Sequence, residues 1–217
     1  QICLFSATMS DSCLKTAHKF LNEPNTIYVR KEQLTLEGIN QYYVFTDNDK
    51  IKYDTIIDLY SSIIINQLII YCNTKQRVVY LANSLTKDNY TCACIHSDLT
   101  TSERMHIMRG FRNGEVRVLI STDLLSRGID VQQVSLVINY DLPRNVESYI
   151  HRIGRSGRYG RKGLALNFIS NSLQRGRTRS LIPERPTIFL LGNFNSSSKF
   201  GNHSAAKPLF IASSKYA

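Results

Sequence analysis

The chain has 217 residues, of which 42% are hydrophobic, and it carries a formal net charge of +10. This length allows one or two domains with a packed core, and the basic charge favours an anionic partner such as nucleic acid. No apolar run approaches the roughly 20 residues that a membrane span needs, so we expect no membrane association.

Strand-like apolar runs alternate with amphipathic helical stretches along the middle of the chain. Strands are predicted at 38–46, 67–72, 91–95, 116–122, 134–140 and 164–169, and helices at 50–61, 74–88, 100–113 and 145–153. The run at 67–72 is apolar throughout, which is typical of a strand buried on both faces. This alternation predicts an α/β fold, a parallel sheet flanked by helices.

The two ends of the chain differ from this central domain, which we place at 38–170. Residues 1–30 predict a strand, a turn, a helix and a second strand, and we interpret them as the end of a preceding domain. A linker at 31–37 follows. Residues 171–217 are rich in Ser, Asn, Gly and basic residues without a sustained period, which predicts a mostly disordered tail. Because the chain begins at Gln1 inside a strand-like run, we interpret it as a fragment.

The cysteine pattern argues against disulfide bonds. There are five cysteines and no CxxC pair: Cys3, Cys13, Cys72, Cys92 and Cys94. The last three lie in apolar runs, so we predict buried thiols in a reducing compartment.

Polar clusters follow three of the predicted strands: Asn73–Thr74, His96–Asp98 and Thr122–Asp123. Since the carboxyl ends of parallel strands meet at one edge of a sheet, these clusters predict a binding edge. A metal site formed by His96, Asp98 and His106 is not expected, because no third ligand has suitable spacing.

The positive charge is concentrated between Arg144 and Arg185, where ten basic residues face only two acidic ones. Within this segment, His151–Arg161 reads HRIGRSGRYGR, with an arginine at every third position and glycines between. Several guanidinium groups on a glycine-rich turn can converge on phosphate oxygens. The residues alone leave a solvated basic loop as the alternative.

This segment resembles motif VI of the DEAD-box ATP-dependent RNA helicases. Ser6–Thr8 (SAT) resembles motif III, residues 68–74 (LIIYCNT) motif IV and residues 121–130 (STDLLSRGID) motif V, all in the family's order. The resemblance covers about residues 1–170. The stretches LTLEGI (34–39) and VQQVSLVINYDLP (131–143) are most similar to the initiation factor 4A group of that family.

The resemblance implies that residues 38–170 form a RecA-like domain, the second of two that close around ATP and single-stranded RNA. ATP and Mg²⁺ would be held mainly by the first domain, of which residues 1–30 are a remnant. Arg155 and Arg158 would act as arginine fingers on the γ-phosphate, which fits the stabilisation of charge on a transferring phosphoryl group. Asp130 would hydrogen-bond the ribose.

Coupling and RNA contacts are also implied by the resemblance. Ser6 and Thr8 would couple ATP hydrolysis to unwinding, and His151 would link motif VI to the first domain. The RNA backbone phosphates would be contacted by Thr74, Arg104 and Thr122. Such contacts read no base, so sequence-independent binding is expected.

The chain departs from the family pattern in the motifs and in the tail. Ser97 replaces a glycine, Thr101 a glutamine, Ser126 an alanine and Tyr71 a phenylalanine. A serine at position 97 would cost stability if that backbone needs a positive φ. The sequence from residue 174 to 217 resembles nothing in the family, and it is either a divergent RNA-binding tail or the product of a read-through intron or frameshift.

These observations predict the C-terminal part of an ATP-dependent RNA helicase that unwinds RNA duplexes in translation initiation. We expect a monomer in the cytoplasm, or in the nucleus for an exon-junction relative, with a translation-initiation scaffold protein as a partner. The fragment alone is expected to be inactive, because it has no P-loop and no Asp-Glu-Ala-Asp motif. The alternative is a truncated RNA- or scaffold-binding module without ATPase activity. A DNA helicase is disfavoured by the match to motif VI.

Overall fold

The computed structural model describes residues 2–6, 8, 11–27, 38–46, 48–62, 65–126, 134–157, 162–170 and 187–189. These residues form a seven-stranded sheet in which all the strand pairs are parallel. The strands are β1 (Ile39–Phe45), β2 (Gln67–Tyr71), β3 (Cys92–Ile95), β4 (Val118–Ser121), β5 (Val134–Asn139), β6 (Gly163–Ile169) and β7 (Thr187–Phe189), in the order β3-β4-β2-β5-β6-β1-β7.

Five α-helices accompany the sheet in the described part of the chain. They are α1 (Asp11–Phe20), α2 (Asp49–Ser62), α3 (Lys75–Lys87), α4 (Thr101–Arg112) and α5 (Val146–Ile153), and a 3₁₀ turn covers Asp123–Leu125. The six strands and four helices predicted for residues 38–170 are confirmed, with ends that differ by at most two residues.

Helices cover both faces of the sheet and create two hydrophobic cores. Strand β2 shows the division, because Ile69 and Tyr71 face one core while Leu68 and Ile70 face the other. Helices α4 and α5 contribute to the first core, and α2 and α3 to the second. All five residues of β2 are buried, as predicted for a strand with two covered faces. Burying each of the aliphatic side chains in this strand contributes about 1.5–3 kcal/mol to the stability.

The prediction of a strand at the start of the chain is wrong for residues 2–6, which have no regular secondary structure. A strand forms only where a neighbour satisfies its N–H and C=O groups, and no described strand lies beside this segment. Ile2, Leu4 and Phe5 are accordingly exposed. The predicted helix is present as α1, whereas the second predicted strand extends into residues 28–30, outside the described residues.

Most of the predicted tail also lies outside the described residues. The exception is β7, which pairs with Tyr42–Val44 of β1. The sequence analysis predicted no strand there.

Two further expectations concern membranes and thiols. No helix in the described ranges is long and apolar enough to cross a membrane. All five cysteines are free thiols, and Cys72 is buried, which raises its pKa to about 12. Cys92 and Cys94 are half-buried, and burial raises their pKa values too.

A backbone contact fixes the turn that follows α5. Gly157 has φ of +73°, a conformation that glycine adopts readily. At Gly163, the first residue of β6, an added Cβ would lie 2.4 Å from the Gly157 nitrogen. The Gly163 N–H donates to the Gly38 carbonyl at 2.7 Å. Gly157 therefore lies directly against the start of β6.

We predict that Gly163→Ala lowers the free energy of unfolding by on the order of 3 kcal/mol, because the new methyl group overlaps backbone atoms that cannot move aside. Urea denaturation followed by circular dichroism measures this change. Gly38→Ala is the matched control, since an added Cβ there meets nothing within 4 Å. Equal stability of the two variants would contradict the proposed tight contact.

Candidate nucleic-acid and nucleotide interface

The strands β2 and β4 are neighbours in the sheet, and a threonine follows each of their carboxyl ends: Thr74 is exposed and Thr122 is half-buried. Tyr71 and Ser121 are paired, so the residues that follow them lie side by side. Thr74 is the N-cap of α3, and its Oγ1 accepts from the Arg77 N–H at 3.3 Å. Thr122 caps the 3₁₀ turn in the same way. Accepting these bonds leaves each hydroxyl hydrogen available for a phosphate oxygen.

The next strand end along the sheet, after β3, carries the His96–Asp98 cluster. Lys75 Nζ lies 2.8 Å from the Asp98 carboxylate, and this hydrogen bond lowers the pKa of Asp98. Ser97 Oγ also donates to that carboxylate. Ser97 is not among the residues with a positive φ, so serine is accommodated here without backbone strain.

Arg104 lies in the first turn of α4, just beyond the same strand end. A capping box begins this helix: Thr100 and Glu103 satisfy each other's backbone N–H groups. Arg104 Nη2 donates to Thr101 Oγ1 at 3.3 Å. Threonine, which replaces the family's glutamine at this position, thus holds the guanidinium near the N-terminal end of the helix.

The third group of predicted residues meets at α5. Thr8 Oγ1 lies 2.7 Å from His151 Nε2, and Ser6 Oγ donates to the Thr8 carbonyl at 2.6 Å. Arg155, just past the end of α5, donates from Nε to the His151 carbonyl at 3.1 Å. The structure therefore brings Ser6, Thr8, His151 and Arg155 together. Asp130 and Arg158 lie outside the described residues, and all of the assigned roles stay predictions.

Sequence reasoning missed the buried arginine that joins these groups. Arg152 of α5 is fully buried and donates hydrogen bonds to the ends of three strands. Its acceptors are Asp123 Oδ1 (2.5 Å), Asn139 Oδ1 (3.2 Å), the Asp141 carbonyl (2.7 Å) and Asn73 Oδ1 (2.9 Å). The burial of Arg152 could have been predicted from its spacing in the sequence. It lies three residues after Tyr149, on a face of α5 that is otherwise apolar.

A second charged cluster, on the side of α2 and α3, was also missed. The Asp141 carboxylate accepts from the Asn73 N–H at 3.0 Å and from Arg77, and lies 3.7 Å from Lys52 Nζ. Asp49 pairs with both Arg77 and Lys52. Lys52 is buried although it carries a charge. Nothing in the local pattern of α2 distinguishes this lysine from a solvated one.

We predict that Arg152→Ala destabilises the chain by about 3–5 kcal/mol, because it leaves the Asp123 carboxylate and several acceptors without their buried donor. Arg144→Ala is the matched control. It removes an exposed arginine from the same basic segment, and its effect is expected to stay within about 0.5 kcal/mol. Thermal unfolding of both variants measures the difference, and similar melting temperatures would contradict the assigned role of Arg152.

Comparisons with known proteins agree with this geometry. The profile of the helicase conserved C-terminal domain matches residues 51–160, which is half of the chain. The structure of the C-terminal domain of the DEAD-box protein Dbp5 superposes with a TM-score of 0.65 at 34% identity, covering 72% of this chain and 92% of that one. The chain belongs to the DEAD-box helicase family. Its sheet and flanking helices are the RecA-like C-terminal domain of that family, as the resemblance predicted.

Curated relatives support the same assignment. The ATP-dependent RNA helicase eIF4A of Kluyveromyces lactis is 56% identical over 171 residues, which are 79% of this chain and 43% of the relative. Its counterpart in Candida albicans is 55% identical over the same share of each chain. This chain therefore spans less than half the length of these relatives. S. cerevisiae Dbp5 bound to RNA and ADP BeF3 has a TM-score of 0.78 and 34% identity, covering 86% of this chain and 50% of that one.

Proposed function

We propose that this chain is the C-terminal part of an ATP-dependent RNA helicase that unwinds RNA duplexes in translation initiation. The observation that carries the proposal is the position of α5. This helix contacts Thr8 through His151, holds Asn73 and Asp123 through Arg152, and leads directly into Arg155. A single helix thus connects the turns proposed to contact phosphates with the arginine proposed to contact ATP.

RNA would lie across the carboxyl edge of the sheet. Donors for backbone phosphates are offered by the hydroxyls of Thr74 and Thr122 and by the guanidinium of Arg104. Contacts to phosphates do not depend on which base is present. Binding without sequence preference follows from such contacts. The N-terminus of α3 adds free backbone N–H groups and a favourable dipole at the same edge.

ATP would lie on the side of α5 that carries Arg155. Arg155 and Arg158 would stabilise the charge that develops on the γ-phosphate, and Asp130 would hold the ribose. Among the described residues, no group of three or more His, Cys, Asp and Glu side chains is placed to hold a metal ion. We expect Mg²⁺ to enter with nucleotide phosphates held by a first RecA-like domain, so that the chain alone would not hydrolyse ATP.

A monomer in the cytoplasm that works with a translation-initiation scaffold protein is the cellular setting we propose. The names of the curated relatives support translation initiation. A nuclear location would apply to an exon-junction type of helicase. A structure of S. cerevisiae Dbp5 contains bound Gle1 and IP6, so a structural neighbour of this domain binds a partner protein.

A second function, RNA or scaffold binding without ATPase activity, is favoured by one feature. All three proposed phosphate contacts lie within this chain, whereas Arg155 needs a nucleotide held by another domain.

We predict that joining this chain to the preceding N-terminal part of the Kluyveromyces lactis relative restores RNA-stimulated ATPase activity. Arg155→Ala and Arg158→Ala should each lower kcat on the order of 10³-fold, because they remove charge stabilisation at the γ-phosphate. Phosphate release measures the rate, and Arg144→Ala serves as the control. A folded fusion without activity would favour the binding module.

We further predict that Arg104→Gln weakens the binding of oligo-uridine and oligo-adenine equally, by about tenfold, and reduces the salt dependence by about one phosphate contact. Fluorescence anisotropy at several salt concentrations measures both effects. Arg109→Gln is the control, since it removes the same charge from an exposed position further along α4. If both variants lose the same affinity, the effect is general electrostatics and Arg104 makes no specific contact.

A further inference from the structure

Asn73 connects β2 to the N-cap of α3 and lies at the protein surface. Its backbone N–H donates to Asp141 Oδ2 at 3.0 Å, and its side-chain Nδ2 donates to the Leu142 carbonyl at 2.8 Å. Its Oδ1 accepts from Arg152 Nη2 at 2.9 Å. Because a guanidinium has only donors and a carbonyl only accepts, this chemistry fixes which way the amide faces.

These bonds tie the turn after β2 to two other parts of the chain. Asp141 and Leu142 belong to the segment after β5, and Arg152 belongs to α5. Thr74 is covalently joined to Asn73, so its position depends on where α5 and the β5 segment lie. The same guanidinium donates to Asp123, the neighbour of Thr122. A shift of α5 therefore alters both threonine turns at once.

We propose that Asn73 is a positioning residue that couples RNA binding at the Thr74 turn to the placement of α5, and through α5 to Arg155. The inference rests on the proposed function. Asn73 itself contacts neither Thr8 nor Arg155, so its effect passes through Arg152. Asn73 is exposed and belongs to neither hydrophobic core, so replacing it opens no cavity there. An effect of the replacement would therefore not come from lost core packing.

The coupling has a defined measure. If RNA and nucleotide both favour one placement of α5, bound nucleotide tightens RNA binding by a factor that equals the reciprocal effect of RNA on nucleotide. The bond from Arg152 to Asn73 is charge-assisted and so is one of the stronger hydrogen bonds at this edge. Its loss is expected to reduce the coupling factor about tenfold.

The experiment uses the full 217-residue chain fused to the N-terminal part of the Kluyveromyces lactis relative. Fluorescence anisotropy gives the dissociation constant of a labelled oligo-uridine without nucleotide and with ADP–beryllium fluoride, for the parent fusion, Asn73→Ala and Gln76→Ala. Gln76 is the matched control: it is an exposed amide three residues along, with no side-chain hydrogen bond to any described residue. The ratio of the two constants is unaffected by any inactive fraction of the sample.

We expect nucleotide to tighten RNA binding in the parent and in Gln76→Ala by the same factor, and about tenfold less in Asn73→Ala. The stimulation of ATPase activity by RNA should fall in Asn73→Ala and stay at the parent level in Gln76→Ala. If Asn73→Ala weakens RNA binding equally with and without nucleotide, or not at all, the positioning role is overturned and the proposed function stands. If the parent fusion shows no nucleotide-dependent RNA binding, the proposed function fails and this inference fails with it.

Discussion

The arrangement of the carboxyl edge of the sheet depends on the hydrogen bonds made by the buried guanidinium of Arg152. A charge removed from water is tolerated only where hydrogen-bond acceptors surround it. Arg152 meets that demand with acceptors from the segments after β2, β4 and β5, so these three segments must all come within reach of one side chain. Because this one buried charge needs several acceptors, it holds in place the segments that form the surface proposed to bind phosphates.

Asp141 extends this organisation to the opposite face of the sheet. Its carbonyl accepts from Arg152 on the side of α5, while its carboxylate pairs with Arg77 on the side of α2 and α3. The two hydrophobic cores are otherwise separated by the strands. A single residue just after β5 thus links both layers of helices, and this scaffold leaves Thr74 exposed and Arg104 partly exposed for contact with a ligand.

The departures from the family pattern are accommodated locally. Thr101, which stands where the family usually has glutamine, accepts a hydrogen bond from Arg104. Ser97, which stands where the family has glycine, does not have a positive φ, so its backbone is unstrained. The hydroxyl that Tyr71 adds relative to phenylalanine donates to the Leu125 carbonyl at 3.3 Å. None of these substitutions disturbs the fold shared with S. cerevisiae Dbp5, which superposes with a TM-score of 0.78.

Local pattern was enough to predict the strands and helices of residues 38–170, since periodicity and caps such as Thr100 act within a few residues. It was also enough to single out the HRIGR segment, whose spacing is visible in the chain itself. Strand formation at residues 2–6 and at β7 depends on a pairing partner far away in sequence, so the first was wrongly predicted and the second was missed. The bonds of Arg152 and the burial of Lys52 likewise join segments that only the folded chain brings together. The sequence by itself determined the elements and the chemistry they carry, and the tertiary structure alone decided which of those groups meet, because burial of charge is settled by neighbours that are distant along the chain.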